Sequence, residues 1–229
     1  MTAASAVAPP VDLALFGVAI AARGRPGRTG AHEAAWTMLH LGTAEDEHGR
    51  ASAVDLLAAL RRDGQPARLR LVGPVPQAQR GRLLERATAA GVVGALHLAG
   101  ERAAHEVARL LVEAALLVVP APAVAATPPG PEPGGVGAGA ARDLVAVILA
   151  GCAAGTPVLA PDLPALRPLA AELPELCLVA PDLPLEARAK AAAAYLPVPP
   201  APDERWAALG RLRRSSFCLD RPALADESR

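Results

Sequence analysis

The chain has 229 residues, of which 52% are hydrophobic and only 2% aromatic, with Lys+Arg and Asp+Glu each totalling 23. That length holds one large domain or two small ones around a buried core, and the shortage of aromatics leaves Ala, Leu and Val to pack it. A formal net charge of zero speaks against a nucleic-acid protein, which carries a basic excess, and no apolar run is long enough to span a bilayer.

From the N-terminus, 11–22 is a mostly apolar run ending in small residues. It resembles a signal-peptide core, but no positive charge precedes it and Asp12 sits inside it, so the secretory reading is set aside. Residues 37–41 read as a buried strand ending at Gly42. Val54, Leu57 and Leu60 recur at helical spacing over 53–62, with Asp63-Gly64 as the stop. The segment 67–72 alternates as a strand, with Leu69 and Leu71 on one face, and ends at Gly73-Pro74. A polar-faced helix follows over 77–90, closed by Gly91. Then come a strand over 95–99 ended by Gly100, a helix over 101–113 and a strand over 115–119 stopped by Pro120. Residues 142–154 read as a helix, 157–160 as a strand, 166–172 as a short helix, 176–180 as a strand and 185–195 as a helix. Strict alternation of this kind predicts right-handed βαβ crossovers, hence an α/β fold with a Rossmann-like, doubly wound parallel sheet. Residues 121–140 break the pattern with Pro, Gly and Ala around a single charge, Glu132. They read as an inserted flexible loop in preference to a lid, although they follow a strand end on the ligand side of the sheet.

Cys152, Cys177 and Cys218 are widely spaced and form no C-x-x-C pair, which fits a reducing cytoplasm and no disulfide framework. His32, His40, His48, His97 and His105 pair neither with cysteine nor with each other at a ligand spacing, so no metal is expected. No G-x-S-x-G, P-loop or H-E-x-x-H occurs. The glycine run from Gly134 to Gly139 follows no strand and is weak as a phosphate loop.

The run Ala150-Gly151-Cys152-Ala153-Ala154-Gly155-Thr156-Pro157-Val158 carries an apolar helix through Gly-Thr-Pro into a short strand. It resembles the junction in the donor-binding half of GT-B glycosyltransferases, especially the large retaining group often called family 4. Val7 to Phe16 is similar to the linker that enters that donor domain, 36–42 to its first strand and 54–60 to its first helix. Leu69-Arg70-Leu71-Val72-Gly73, Leu96-His97-Leu98-Ala99-Gly100, 116–120 and Leu178-Val179-Ala180-Pro181-Asp182 resemble its later strands. The resemblance runs from Val7 to about Phe217, and order and spacing carry it more than any single motif. It implies a lead-in over 1–35, a single half-domain of the nucleotide-sugar-binding type over 36–217 and a disordered tail over 218–229.

What the resemblance implies for ligands is a nucleotide-diphosphate sugar at the carboxyl ends of the strands, with no further cofactor. On that footing Gly42, Thr43, Arg50, Gly73, Gly100, Arg142, Gly155 and Thr156 are the candidate contacts, and no catalytic residue is assigned. Sugar transfer needs cations on the departing diphosphate, because its developing negative charge must be stabilised. The family supplies an Arg just after the first strand's glycine and a Lys shortly downstream. Here Thr43 takes the first place, and Lys190, the only lysine of the chain, lies far from that loop. His48 and Arg50 are the substitutes on offer, Arg50 bringing a permanently charged fork. Glu45, Asp46 and Glu47 beside them would repel a diphosphate, which favours a solvated loop. The family's two glutamates, one touching the donor sugar and one holding the ribose hydroxyls, correspond to Arg142 and Ala150. Arg142 gripping phosphate at a helix N-terminus is opposed by Asp143 next to it. Glu132 restores the family's spacing only if the alignment slips.

A GT-B enzyme also needs a second domain for the acceptor, and the resemblance starts at the interdomain linker, so that domain is expected to be absent. The expected function is therefore a glycosyltransferase-like protein without independent catalysis, acting as a partner or accessory subunit. Two alternatives stay open: half of a split glycosyltransferase completed by an acceptor-domain chain, and a non-catalytic nucleotide-binding module. The implied partners are such an acceptor-domain or glycosyltransferase chain, or a second copy in a homodimer, because an isolated donor half exposes its interdomain face.

Overall fold

The computed structural model describes residues 11–23, 37–121, 137–196 and 200–215. Eight α-helices and six strands are present among them: α1 (Leu13–Arg23), β1 (Thr37–Leu41), α2 (Glu47–Arg62), β2 (Arg68–Val72), α3 (Gln77–Ala89), β3 (Leu96–Gly100), α4 (Ala104–Glu113), β4 (Leu116–Val118), α5 (Gly137–Ala153), β5 (Val158–Pro161), α6 (Arg167–Glu172), β6 (Leu176–Val179), α7 (Leu185–Ala193) and α8 (Pro202–Arg214). The strands form one sheet in the order β3-β2-β1-β4-β5-β6, with every neighbouring pair parallel. This is the doubly wound Rossmann-like arrangement that the alternation of strand and helix predicts.

Sequence pattern explains the layers. Leu116, Leu117 and Val118 are all buried because β4 lies in the middle of the sheet and is covered on both faces. In β2, Leu69 and Leu71 are buried in the same core, while Arg68 on the other pleat is exposed. The edge strand β3 is only partly buried. One core, under α2, α3 and α7, includes Met38, Leu57, Leu60, Leu69 and Leu116. The other, under α1, α4, α5 and α8, includes Phe16, Ile20, Leu111, Ile148 and Leu209. With few aromatics available, close approach replaces bulk. A Cβ on Gly151 would come within 2.6 Å of Val158 and 2.7 Å of Leu117, so α5 rests directly on β4 and β5.

Three departures from expectation bear on the site and the core. Helix α2 starts at Glu47 and not at residue 53, because Asp46 caps it by accepting from the Gly49 N–H at 3.1 Å. The acidic stretch read as a loop is therefore mostly the cap and first turn of a helix. Helix α5 starts at Gly137, so the last residues of the Pro/Gly segment are helical, and Arg142 lies in the second turn and not at the N-terminus. Segment 13–23, read as part of a lead-in, is a helix whose Phe16 and Ile20 enter the core. Residues 122–136 and 218–229, and residues 1–10 and 24–36 of the lead-in, lie outside the described residues. Among the described residues, no helix is long and apolar enough to cross a membrane.

Candidate functional site

The strand order reverses between β1 and β4, and in open α/β sheets ligands bind beyond the carboxyl ends of the strands near that reversal. Glycines close this edge. The Gly42 N–H donates to Val72 O and the Gly73 N–H to Gly100 O, each at 3.0 Å, so three successive strand ends step into one another. Gly73 has φ +118°, and a Cβ there would meet Gly42 O at 1.9 Å, so only glycine allows the two loops to touch. Gly42, Thr43, Gly73 and Gly100 are thus brought together, with Thr43 exposed.

Beneath them lies a polar cluster. His40 is 3% exposed, with Nδ1 at 3.1 Å from Val118 O and Nε2 at 2.8 Å from Asp46 Oδ2. The carbonyl can only accept, so Nδ1 donates to it, and Nε2 pairs with the Asp46 carboxylate. This clasp ties β1 to β4 across the reversal and to the cap of α2. Arg50, only 1% exposed, completes the cluster: Nη1 donates to Gln79 Oε1 at 2.8 Å, and Nη2 to Pro74 O at 2.6 Å and to Thr43 O. Gln79 in turn donates to Ala44 O at 2.9 Å. Burial pulls the Arg50 pKa below its ordinary value, with Asp46, Glu45 and Glu47 acting the other way. The fork offered to a phosphate in the sequence reading is instead occupied with joining the loops after β1 and β2. Arg50→Ala should therefore lower unfolding stability by about 2–4 kcal/mol, read by urea denaturation, since it strands buried acceptors. A loss under about 0.5 kcal/mol, the usual size for a surface change, would contradict this role.

Gly155 and Thr156 belong elsewhere, which corrects their assignment to the ligand edge. Both precede β5 and so sit at the opposite edge of the parallel sheet. Thr156 is fully buried, donates to Leu111 O at 2.6 Å and accepts from Arg205 Nη1 at 2.9 Å. Arg205, on α8 and also fully buried, further donates to Ala154 O at 2.8 Å, and to Ala114 O and Pro200 O at 3.3 Å each. Burial brings its pKa down to about 9. A Cβ on Gly155 would come within 2.6 Å of Arg205 Cα, so the glycine makes room for this helix. Ala150 packs against the apolar core, and the Arg142 side chain lies outside what the structure describes. Cys152 is fully buried, and that burial is the chief cause that raises its thiol well above the ordinary pKa.

A groove that the sequence reading missed opens at the carboxyl ends of β4, β5 and β6. It is a small groove between α2 and α7, open to solvent, with room of about 30 Å³. Its walls include Leu56, Val118, Leu159 and Val179, with Ser52 and Arg188 as its polar side chains. Arg188 Nη1 donates to Ser52 Oγ at 3.4 Å. Nothing in the sequence singles out one arginine among so many on an amphipathic helix.

No protein-family model matches the sequence, and no curated protein matches it. Solved structures do share its fold. WaaG, a glycosyltransferase involved in lipopolysaccharide biosynthesis, superposes with a TM-score of 0.59 at 18% identity over 92% of this chain and 52% of its own. Sucrose-phosphate synthase from Thermosynechococcus elongatus gives 0.59 at 23% identity, over 90% of this chain and 47% of its own. HepE from Anabaena, solved with UDP and glucose, gives 0.56 at 16% identity, over 89% and 50%. The chain thus spans about half the length of the solved structures it matches and has the fold of a GT-B half-domain.

Proposed function

We propose that the chain is a glycosyltransferase-like protein built on the donor half of the GT-B fold, without independent catalysis and acting as a partner or accessory subunit. One observation carries this reading: the loop after β1 brings no arginine or lysine to the ligand edge. Thr43 is exposed where the family places an arginine, and the Arg50 fork is engaged with Thr43 O, Pro74 O and Gln79. A departing nucleoside diphosphate would meet no guanidinium or ammonium there, and that stabilisation is the largest part of such catalysis. Ala150, at the position of the ribose-binding glutamate, has no polar atom to add. The chain incubated alone with millimolar UDP-, GDP- or ADP-sugars should release no nucleoside diphosphate above the buffer rate, followed by a coupled assay. Turnover by the chain alone would overturn the proposal.

A second reading, a nucleotide-binding module without catalysis, is favoured by the Arg188 groove. The likeness to a protein solved with UDP and glucose supports the same ligand class. Saturable calorimetric binding of one nucleotide sugar, with no turnover, is the result that would select it.

A further inference from the structure

We propose that Arg188 and Ser52 form a phosphate-binding subsite in the groove between α2 and α7; its use for a nucleotide rests on the nucleotide-binding reading above.

The argument starts from the arginine itself. Its Nε is buried and has no hydrogen-bond partner. Among the described residues its one hydrogen bond is the 3.4 Å contact from Nη1 to the Ser52 hydroxyl, and no carboxylate lies within ion-pair distance. A buried donor on a permanent cation without an acceptor is costly, and native structures rarely leave one so. The other arginine with an unpartnered buried Nε, Arg211, already has a carboxylate in Glu175. Arg82, Arg86 and Arg167 likewise each hold a carboxylate, and Arg50 and Arg205 are spent on carbonyls. Arg188 stands apart in lining an open groove with its charge unanswered.

Place and surroundings select the ligand class. Helix α7 leaves β6 and returns beside α2, which sets the guanidinium above the carboxyl ends of β4, β5 and β6. The walls are apolar, and low polarity around a cation strengthens its attraction for an anion. A planar guanidinium pairs two parallel N–H groups with two phosphate oxygens, and the Ser52 hydroxyl supplies a further donor. A phosphate on Arg188, with the organic part of its ester against Val118, Leu159 and Leu56, satisfies the orphan donor and uses the apolar wall.

The test is calorimetric titration of the full chain and of Arg188→Gln, Arg188→Lys and Ser52→Ala, each first checked for native folding by thermal melting. The titrants are UDP, GDP, ADP, the corresponding nucleosides, inorganic pyrophosphate and inorganic phosphate. Expected is a weakening of about tenfold or more in Arg188→Gln for whichever phosphorylated titrant binds, with Arg188→Lys between it and the native chain and nucleoside binding unmoved. Binding of a nucleotide unaffected by Arg188→Gln would overturn the subsite while leaving the nucleotide-binding reading intact. Phosphate or pyrophosphate binding lost in Arg188→Gln, with no preference for any nucleotide, would uphold the subsite and remove that reading. No binding by any titrant would overturn both.

Discussion

Arg205→Met is expected to lower the unfolding free energy by about 3–5 kcal/mol, the balance between stranding buried acceptors at about 1–3 kcal/mol each and no longer burying a charge. Methionine fills similar space, so the loss isolates polar contacts from packing. Three carbonyls (Ala114, Ala154 and Pro200) and the Thr156 hydroxyl would each lose a donor, all but the one at Pro200 buried. These acceptors come from the ends of α4 and α5, the turn into β5 and the approach to α8, so one side chain joins four stretches of chain. Lysine would not substitute, because a single ammonium cannot reach acceptors spread around a planar fork. For a chain of this size a melting shift of about 6–20 °C should accompany the loss, at about 2–4 °C per kcal/mol. A variant within about 1 kcal/mol of the native chain would show that water or neighbouring donors satisfy those acceptors, and the joint would lose its importance.

Gly73→Ala should be nearly as damaging, for a backbone reason. Its φ of +118° lies where side chains are strained, and the added Cβ would stand 1.9 Å from Gly42 O. Neither loop can stay in place, so the steps from Gly42 to Val72 and from Gly73 to Gly100 would open. Strain of about 1–3 kcal/mol and two bonds at about 0.5–1.5 kcal/mol each together give a loss of about 2–6 kcal/mol. Gly91 provides the control: its φ is +70°, but a Cβ there would meet nothing within 4 Å. Gly91→Ala should therefore cost only about 1–2 kcal/mol from conformation alone. Denaturation midpoints of the two variants separate the ideas, since equal losses would mean that the close approach at Gly42 contributes nothing.

Much of this architecture was readable in the sequence because its punctuation is local. Gly42, Gly73, Gly91 and Gly100 mark strand or helix ends by conformations and contacts that few other residues tolerate, and the β2 pleat shows in Leu69 and Leu71. The cap at Asp46 was equally local, and a carboxylate three residues before Gly49 was a usable signal for the early start of α2. The site was less readable. Arg50 and Arg205 bind mainly carbonyl oxygens, which every residue carries, so no pattern of side chains announces their partners. Thr156 looked like part of a ligand motif because the motif also serves the fold: its hydroxyl holds α4 and α8 at the edge away from any ligand. Arg188 faces Ser52 across two helices far apart in sequence, a meeting that only the sheet order creates.

Helix α1 packs against α4 and α8, its Gly17 so close to the Trp206 ring that an added Cβ would touch it at 3.6 Å. The earliest described helix therefore finishes its packing against the latest. At ribosomal rates of about 5–20 residues per second, α8 follows α1 by on the order of ten seconds or more. Through that interval Phe16 and Ile20 have no complete shelter, so a growing chain would carry an uncovered apolar stripe until its final described helix docks. Chaperone capture or premature self-association during synthesis is the natural hazard of such a closure, and the docking of α8 ends it.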